Sequence, residues 1–159
     1  MERIAEIKVR NWGDTYGPLV PSELLGPFLD HDGSVGQIRE LMRSRDTLLL
    51  VGPGAGLVQG FALTYMARSP EPWLESLHVM REERGRGLGK QLILETAKRL
   101  IAAGYGSMSL GVILGNDLAA RFYEHLGGVP VRVEPVGFAE GVDHTVWRWP
   151  DLTRLIVTT

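Results

Sequence analysis

The sequence predicts a single α/β (α+β) domain over residues 1–159, built as a mixed, mostly antiparallel twisted sheet with helices packed on it. Three observations carry this. Residues Trp73 to Val79 alternate with period two and run into the glycine-rich stretch Arg84-Gly85-Arg86-Gly87-Leu88-Gly89-Lys90. That stretch opens directly into a segment of helical periodicity, so strand, loop and helix follow one another. Antiparallel hairpin patterns precede and follow this centre, giving the order α, α, β, β, β, α, β, α, β, β.

The elements can be justified in turn. Ala5, Val9, Trp12 and Tyr16 recur at helical spacing, predicting an amphipathic first helix that ends before Gly17-Pro18, with Trp12 and Tyr16 on its core stripe. Pro18, Pro21 and Pro27 break up the connection. Ser34 and Gln37 match a capping box, and Val35, Ile38, Leu41 and Met42 supply the second helix with an apolar face. Thr47 to Val51 and Leu57 to Met66 are strand-like, and Gly52-Pro53-Gly54-Ala55-Gly56 between them is turn material for a hairpin. In the next strand Trp73, Glu75, Leu77 and Val79 fall on one face. The helix after the glycine loop carries Leu88, Leu92, Ala97, Leu100 and Ile101 and stops at Gly104. Ser107 to Leu114 is the following strand, Asn116 or Asp117 starts a helix through Leu126, and Gly127-Gly128 ends it. Val129 to Val136 and Thr145 to Trp149 complete the sheet.

Composition narrows the function. The chain has 17 Lys and Arg against 19 Asp and Glu, a formal charge of −2, which argues against a general nucleic-acid binder. The absence of cysteine removes disulfides, thiolate zinc sites and cysteine nucleophiles, and suits a reducing, cytoplasmic setting. No apolar run reaches the roughly 18 residues of a membrane span, and the N-terminal residues lack a signal-peptide pattern. His31, His78, His125 and His144 show no ligand spacing, so no metal is expected.

The glycine loop is the strongest functional signal. Glycines 85, 87 and 89 permit positive φ and leave backbone N–H groups free to face an anion. The helix N-terminus and the charges of Arg84, Arg86 and Lys90 reinforce this. A P-loop would need Ser or Thr where Gln91 stands, and the dinucleotide fingerprint has a different third spacing and an acid that the next strand lacks.

With these excluded, the loop resembles the acyl-coenzyme A loop of the GNAT superfamily of N-acetyltransferases, Arg/Gln-x-x-Gly-x-Gly/Ala, at Arg84, Gly87 and Gly89. The stretch Trp73 to Met80 resembles that family's fourth strand, and Asn116 to Gly128 resembles its Asn-x-x-Ala-x-x-Phe-Tyr-x-x-x-Gly helix. The resemblance covers roughly residues 35 to 150. In one respect the chain departs: the family opens with a strand, whereas helical periodicity is established here by Ile4. The first family strand is absent, lies upstream of Met1, or is replaced by another chain.

The resemblance implies acetyl-CoA as co-substrate and acetyl transfer to a small-molecule or peptide amine; the oligomeric state, a homodimer among the options, stays open. It places the pantetheine arm along Leu77, His78 and Val79, and the pyrophosphate on Arg84 to Lys90, including Leu88. It makes Tyr123 the proton donor to the departing thiolate, with Asn116 and Ala119 on the same helix face and Phe122 as packing. Asn116 either holds the pantetheine arm or caps its helix. An amine with a pKa near 10.4 is only about 0.04% neutral at pH 7, so a base is expected. Glu75, four residues before Val79, is the candidate, with Glu71 and Asp143 behind it. A non-catalytic acyl-CoA sensor or subunit on the same fold is the alternative, and a nucleotide-binding regulator is a third. The acceptor itself stays open among polyamine, aminoglycoside, amino acid, peptide and protein amines.

Overall fold

A computed structural model describes residues 1–53 and 56–157. Helix α1 (Glu2–Asn11) leads into a π-helical turn, Trp12–Tyr16, and a short helix α2 (Ser22–Leu25) precedes α3 (His31–Leu41). Strands β1 (Thr47–Pro53), β2 (Val58–Tyr65) and β3 (Trp73–Val79) follow, then α4 (Leu88–Ala102), β4 (Met108–Ile113) and α5 (Asp117–His125). The chain continues through β5 (Val129–Pro135), β6 (Asp143–Trp149) and α6 (Leu152–Val157). The six strands form one sheet in the order β1-β2-β3-β4-β6-β5. β3 and β4 are the parallel pair, and every other neighbour is antiparallel. Among the described residues no strand precedes α1.

Each face of the sheet is covered because each offers a separate apolar stripe. Leu92, Ile93, Ala97 and Leu100 of α4 bury against Met108, Leu110 and Trp149 on one face, with Leu152 and Leu155 of α6 closing that core. Full burial of one such side chain is worth about 1.5–3 kcal/mol. On the other face Ile4, Ala5 and Ile7 of α1 join Val35 and Ile38 of α3 against Phe61 and Leu63. A third cluster, around Val20, Leu25, Ile113 and Val142, anchors the chain after the π turn.

Several sequence expectations are corrected. The first helix is α-helical only to Asn11, and the widened turn that follows takes Trp12 and Tyr16 off a single stripe. The buried positions of α1 are Ile4, Ala5, Ile7 and Asn11, while Val9 is half-buried. Ser34 is no cap: α3 starts at His31 and Ser34 is buried inside it, its N–H donating to the Asp30 carbonyl. β1 and β2 form the expected hairpin, although residues 54 and 55 of its turn lie outside the described residues. α6 has no counterpart in the sequence reading.

The correction that matters most lies in β3. Leu63 pairs with Ser76 but Thr64 pairs with Leu74, so Glu75 is an extra residue on the β3 side, a β-bulge. Strict alternation therefore fails there. Leu74 takes the face of Leu77 and Val79 in the α4 core, and Glu75 goes to the opposite, α1-facing side.

Candidate active site

The sheet opens at its centre. β3 and β4 pair only at Trp73 and Ser109 and then diverge, leaving a cleft between the C-terminal half of β3 and the start of α5. The Met80 N–H donates to the Gln59 carbonyl, which fixes the ladder phase. By the alternation of an antiparallel ladder, His78 bonds to β2 while Leu77 and Val79 turn their backbone groups towards the opening. The Val79 carbonyl accepts from Asn11 Nδ2 at 3.1 Å and from Arg84 Nε at 3.2 Å, as an outward-facing group would. Of the three β3 residues expected to bond a ligand through the backbone, two face the cleft. His78 instead presents its ring to α1, with Asn11 Nδ2 3.4 Å from its Nδ1, and its burial pushes the imidazole down to about 3.

The glycine loop forms the floor of this cleft, whose volume is about 1230 Å³. Gly85 (φ 79°) and Gly87 (φ 86°) adopt the left-handed conformation. Gly89 does not. It lies in the first turn of α4, where a Cβ would come 3.4 Å from the Phe122 ring, in contact with α5. The first bond of α4 runs from the Gln91 N–H to the Gly87 carbonyl, leaving the amides of Leu88, Gly89 and Lys90 outside the helix ladder. Those amides, with Arg84 and Lys90, fit a pyrophosphate. Arg86 points elsewhere and pairs with Glu83 at 3.4 Å. Arg121, unmarked in the sequence reading, lines the cleft from α5.

Opposite the loop, α5 brings Asn116, Ala119 and Tyr123 to the cleft together. Asn116 Oδ1 accepts from the Ala119 N–H at 3.3 Å, so this side chain caps the helix and its amide nitrogen is left over. Tyr123 is buried, its ring edge-on to Phe122 (5.2 Å) and Trp149 (5.8 Å). Its hydroxyl has no hydrogen-bond partner among the described residues and is not sealed from the cleft. Burial pushes the phenol well above its ordinary range, with a smaller contribution from Tyr16. Tyr123 is therefore protonated throughout the neutral range.

A second, smaller cavity of about 120 Å³ lies on the α1 side. Leu77, His78, Gly111, Tyr16 and Tyr123 border both spaces, so the two adjoin along these residues, with Tyr123 among them. Glu75 lines only the smaller one. Its Oε2 accepts from Trp73 Nε1 at 2.9 Å. Crowding by the cavity walls raises the carboxyl above its usual range, opposed by that hydrogen bond and by Arg68, Lys8 and His144. Trp12, Tyr16, Phe28 and Phe138 form an aromatic wall, with Trp12 and Phe28 stacked at 4.4 Å. Sequence periodicity had set Trp12 and Tyr16 in the core. They do pack on the third cluster, but they also face the cavity. Burial, with the charge of Glu75, pushes the Tyr16 phenol up to about 12.

The reserve candidates for a base stand apart from both cavities. Glu71 is held by Arg148 Nε at 2.8 Å and by Ser109 Oγ at 2.8 Å, and Asp143 lies at the exposed start of β6; neither lines either of these two cavities. Lys8, Asn11, Phe28, Gly111 and Phe138 were missed. Only Gly111, a glycine inside an apolar strand, carried a sequence signal.

Known proteins share this architecture. The structure of the PaiA N-acetyltransferase of Thermoplasma acidophilum in complex with coenzyme A superposes with a TM-score of 0.73 at 19% identity, covering 91% of this chain and 88% of that one. Aminoglycoside 6'-acetyltransferase type Ii gives 0.71 at 18% identity, over 95% and 88%. The ribosomal-protein-alanine N-acetyltransferase of Brucella melitensis gives 0.71 at 18%, over 91% and 90%. At such identities the likeness is one of fold. No curated protein sequence matches the chain. The sequence pattern of the acetyltransferase (GNAT) family, however, matches residues 7–128, a span that begins within α1 and holds β3, the glycine loop and α5. The chain belongs to the acetyltransferase (GNAT) family.

Proposed function

We propose that this protein transfers the acetyl group of acetyl-CoA to a primary amine by direct attack within a ternary complex. One observation carries the reading: a long cleft whose floor is a glycine loop and helix N-terminus and a small cavity lined by a carboxylate adjoin, with Tyr123 in the wall of both. A cleft alone would suit a binding module, but a module needs neither the second cavity nor Glu75.

In this reading the pyrophosphate sits on the amides of Leu88, Gly89 and Lys90, with Arg84 and Lys90 balancing its charge. The pantetheine arm extends the sheet along Leu77 and Val79, and the Val79 N–H polarises the acetyl carbonyl. Glu75 takes a proton from the ammonium acceptor, directly or through water. The neutral nitrogen attacks the carbonyl carbon, a C–N bond forms and the C–S bond breaks, and the nitrogen gives up its second proton to solvent as it becomes the amide. The Tyr123 hydroxyl donates to the sulfur, which leaves as the free thiol, and solvent restores the phenol. With no cysteine in the chain, acetyl transfer through a cysteinyl intermediate is closed off.

The test is free-thiol release from acetyl-CoA across amines of several classes, with the acetylated product identified by mass spectrometry. Amine-dependent release with a matching acetamide is expected. Tight acetyl-CoA binding with no amine-dependent release anywhere on the panel would make the protein a binding module instead.

A further inference from the structure

The small cavity holds two opposite charges that do not pair with each other. Lys8, half-buried on α1, directs Nζ to a neutral acceptor, Gln37 Oε1, at 2.8 Å. No carboxylate lies within ion-pair distance of it among the described residues. Glu75 is likewise held by a neutral donor, Trp73 Nε1. Both line the one cavity, and the space between them is walled by Trp12, Tyr16, Phe28 and Phe138. The rings are fixed against one another: Phe138 stands edge-on to Trp12 at 5.3 Å and to Phe28 at 4.9 Å.

Lys8 stands at the open rim of the cavity with its ammonium on a neutral acceptor, so a ligand anion placed there would meet an unneutralised positive charge. A polycation would be poorly served here. Among the described residues Glu75 is the one carboxylate lining the cavity, and Lys8 would repel a second positive group. A molecule bearing an amine at one end, a carboxylate a few bonds away and an uncharged side chain satisfies all three features: amine to Glu75, carboxylate to Lys8, side chain to the aromatic wall.

We infer that the acceptor is a free α-amino acid with an uncharged side chain, its carboxylate held by Lys8 and its side chain against Trp12, Phe28 and Phe138. This rests on the acetyl-transfer reading and names the acceptor for it. Lys8 acts here as a specificity residue. Burial lowers its pKa, chiefly by desolvation, and an incoming carboxylate would favour the charged form.

The experiment compares alanine, methionine and phenylalanine with their carboxamides and with putrescine, by thiol release and by calorimetric binding in the presence of coenzyme A. A charge-assisted contact of this kind is worth at least about tenfold. The acids should therefore exceed the amides by that factor in kcat/KM and in affinity. Lys8→Met should bring the acid down to the level of its amide. Amides or putrescine handled as well as the acids would overturn the inference while leaving acetyl transfer in place. Acids bound in preference but never acetylated would overturn the acetyl-transfer reading instead. Unchanged discrimination in a folded Lys8→Met protein would remove Lys8 from the account, and Lys8→Arg, which keeps the charge, separates lost charge from lost packing.

Discussion

Replacing Tyr123 by phenylalanine removes one oxygen from a residue that lines both cavities. The ring contacts with Phe122 and Trp149 survive the change, and the hydroxyl has no hydrogen bond among the described residues to lose. Stability should stay within about 0.5 kcal/mol of the parent. The chemical effect is larger. A thiolate has a reference pKa near 8.5 and the Tyr123 phenol is raised above 10, so complete proton transfer is uphill by at least about 2 kcal/mol. What the hydroxyl offers the transition state is a hydrogen bond to a developing negative charge, worth about 1.5–3 kcal/mol. That corresponds to a fall in kcat of roughly 10- to 150-fold. Thiol release at saturating acetyl-CoA and amine measures kcat, and calorimetry measures coenzyme affinity, which should change little. Undiminished kcat with an intact fold would refute the role, and so would a loss confined to coenzyme affinity.

Other perturbations separate the parts of the site. Glu75→Gln keeps an acceptor for Trp73 Nε1 but cannot take a proton, so kcat/KM should drop by about 100-fold or more. Because the Glu75 carboxyl is raised, the parent's rate should climb as pH rises through that elevated value, and a pH profile of the variant should lack this limb; an identical profile would remove Glu75 as the base. Gly87→Ala forces a Cβ into the left-handed conformation at φ 86°, costing about 1–2 kcal/mol. The cost should appear as weaker acetyl-CoA binding, lower urea stability or both, and no change in either would contradict the loop geometry. His78 titrates near 6.5 when unfolded and near 3 when folded, so its contribution to stability is present above about pH 6.5 and is lost as pH falls towards 3. Between pH 7 and 5 urea melts should show the parent losing about 2 kcal/mol more than His78→Gln, and parallel slopes would exclude the buried neutral imidazole.

Much of the donor side was legible in the sequence because local spacing encodes it. Positive-φ glycines, a helix N-terminus and an i, i+3, i+7 face on α5 are properties of short segments, and Arg84, Gly87, Asn116 and Tyr123 all line the larger cleft. The acceptor side was not legible. Glu75 was placed on the wrong face because a β-bulge is set by how β2 and β3 register, which the β3 pattern alone cannot reveal. Lys8 and Asn11 belong to no motif and lie off the Ala5–Val9–Trp12–Tyr16 stripe, and Phe28 and Phe138 lie more than a hundred residues apart. The widened turn at Trp12–Tyr16 depends on the packing of several segments at once. Arg86 shows the opposite failure: a charge in the right motif that is turned away to Glu83.

The central claim is direct transfer between two adjoining sites that share Tyr123 in their walls. Initial velocities with acetyl-CoA and an active amine varied together test it most directly. Double-reciprocal lines that intersect are predicted, because both substrates must be bound before the C–S bond breaks. Parallel lines, with acetylated protein trapped in the absence of amine, would contradict it.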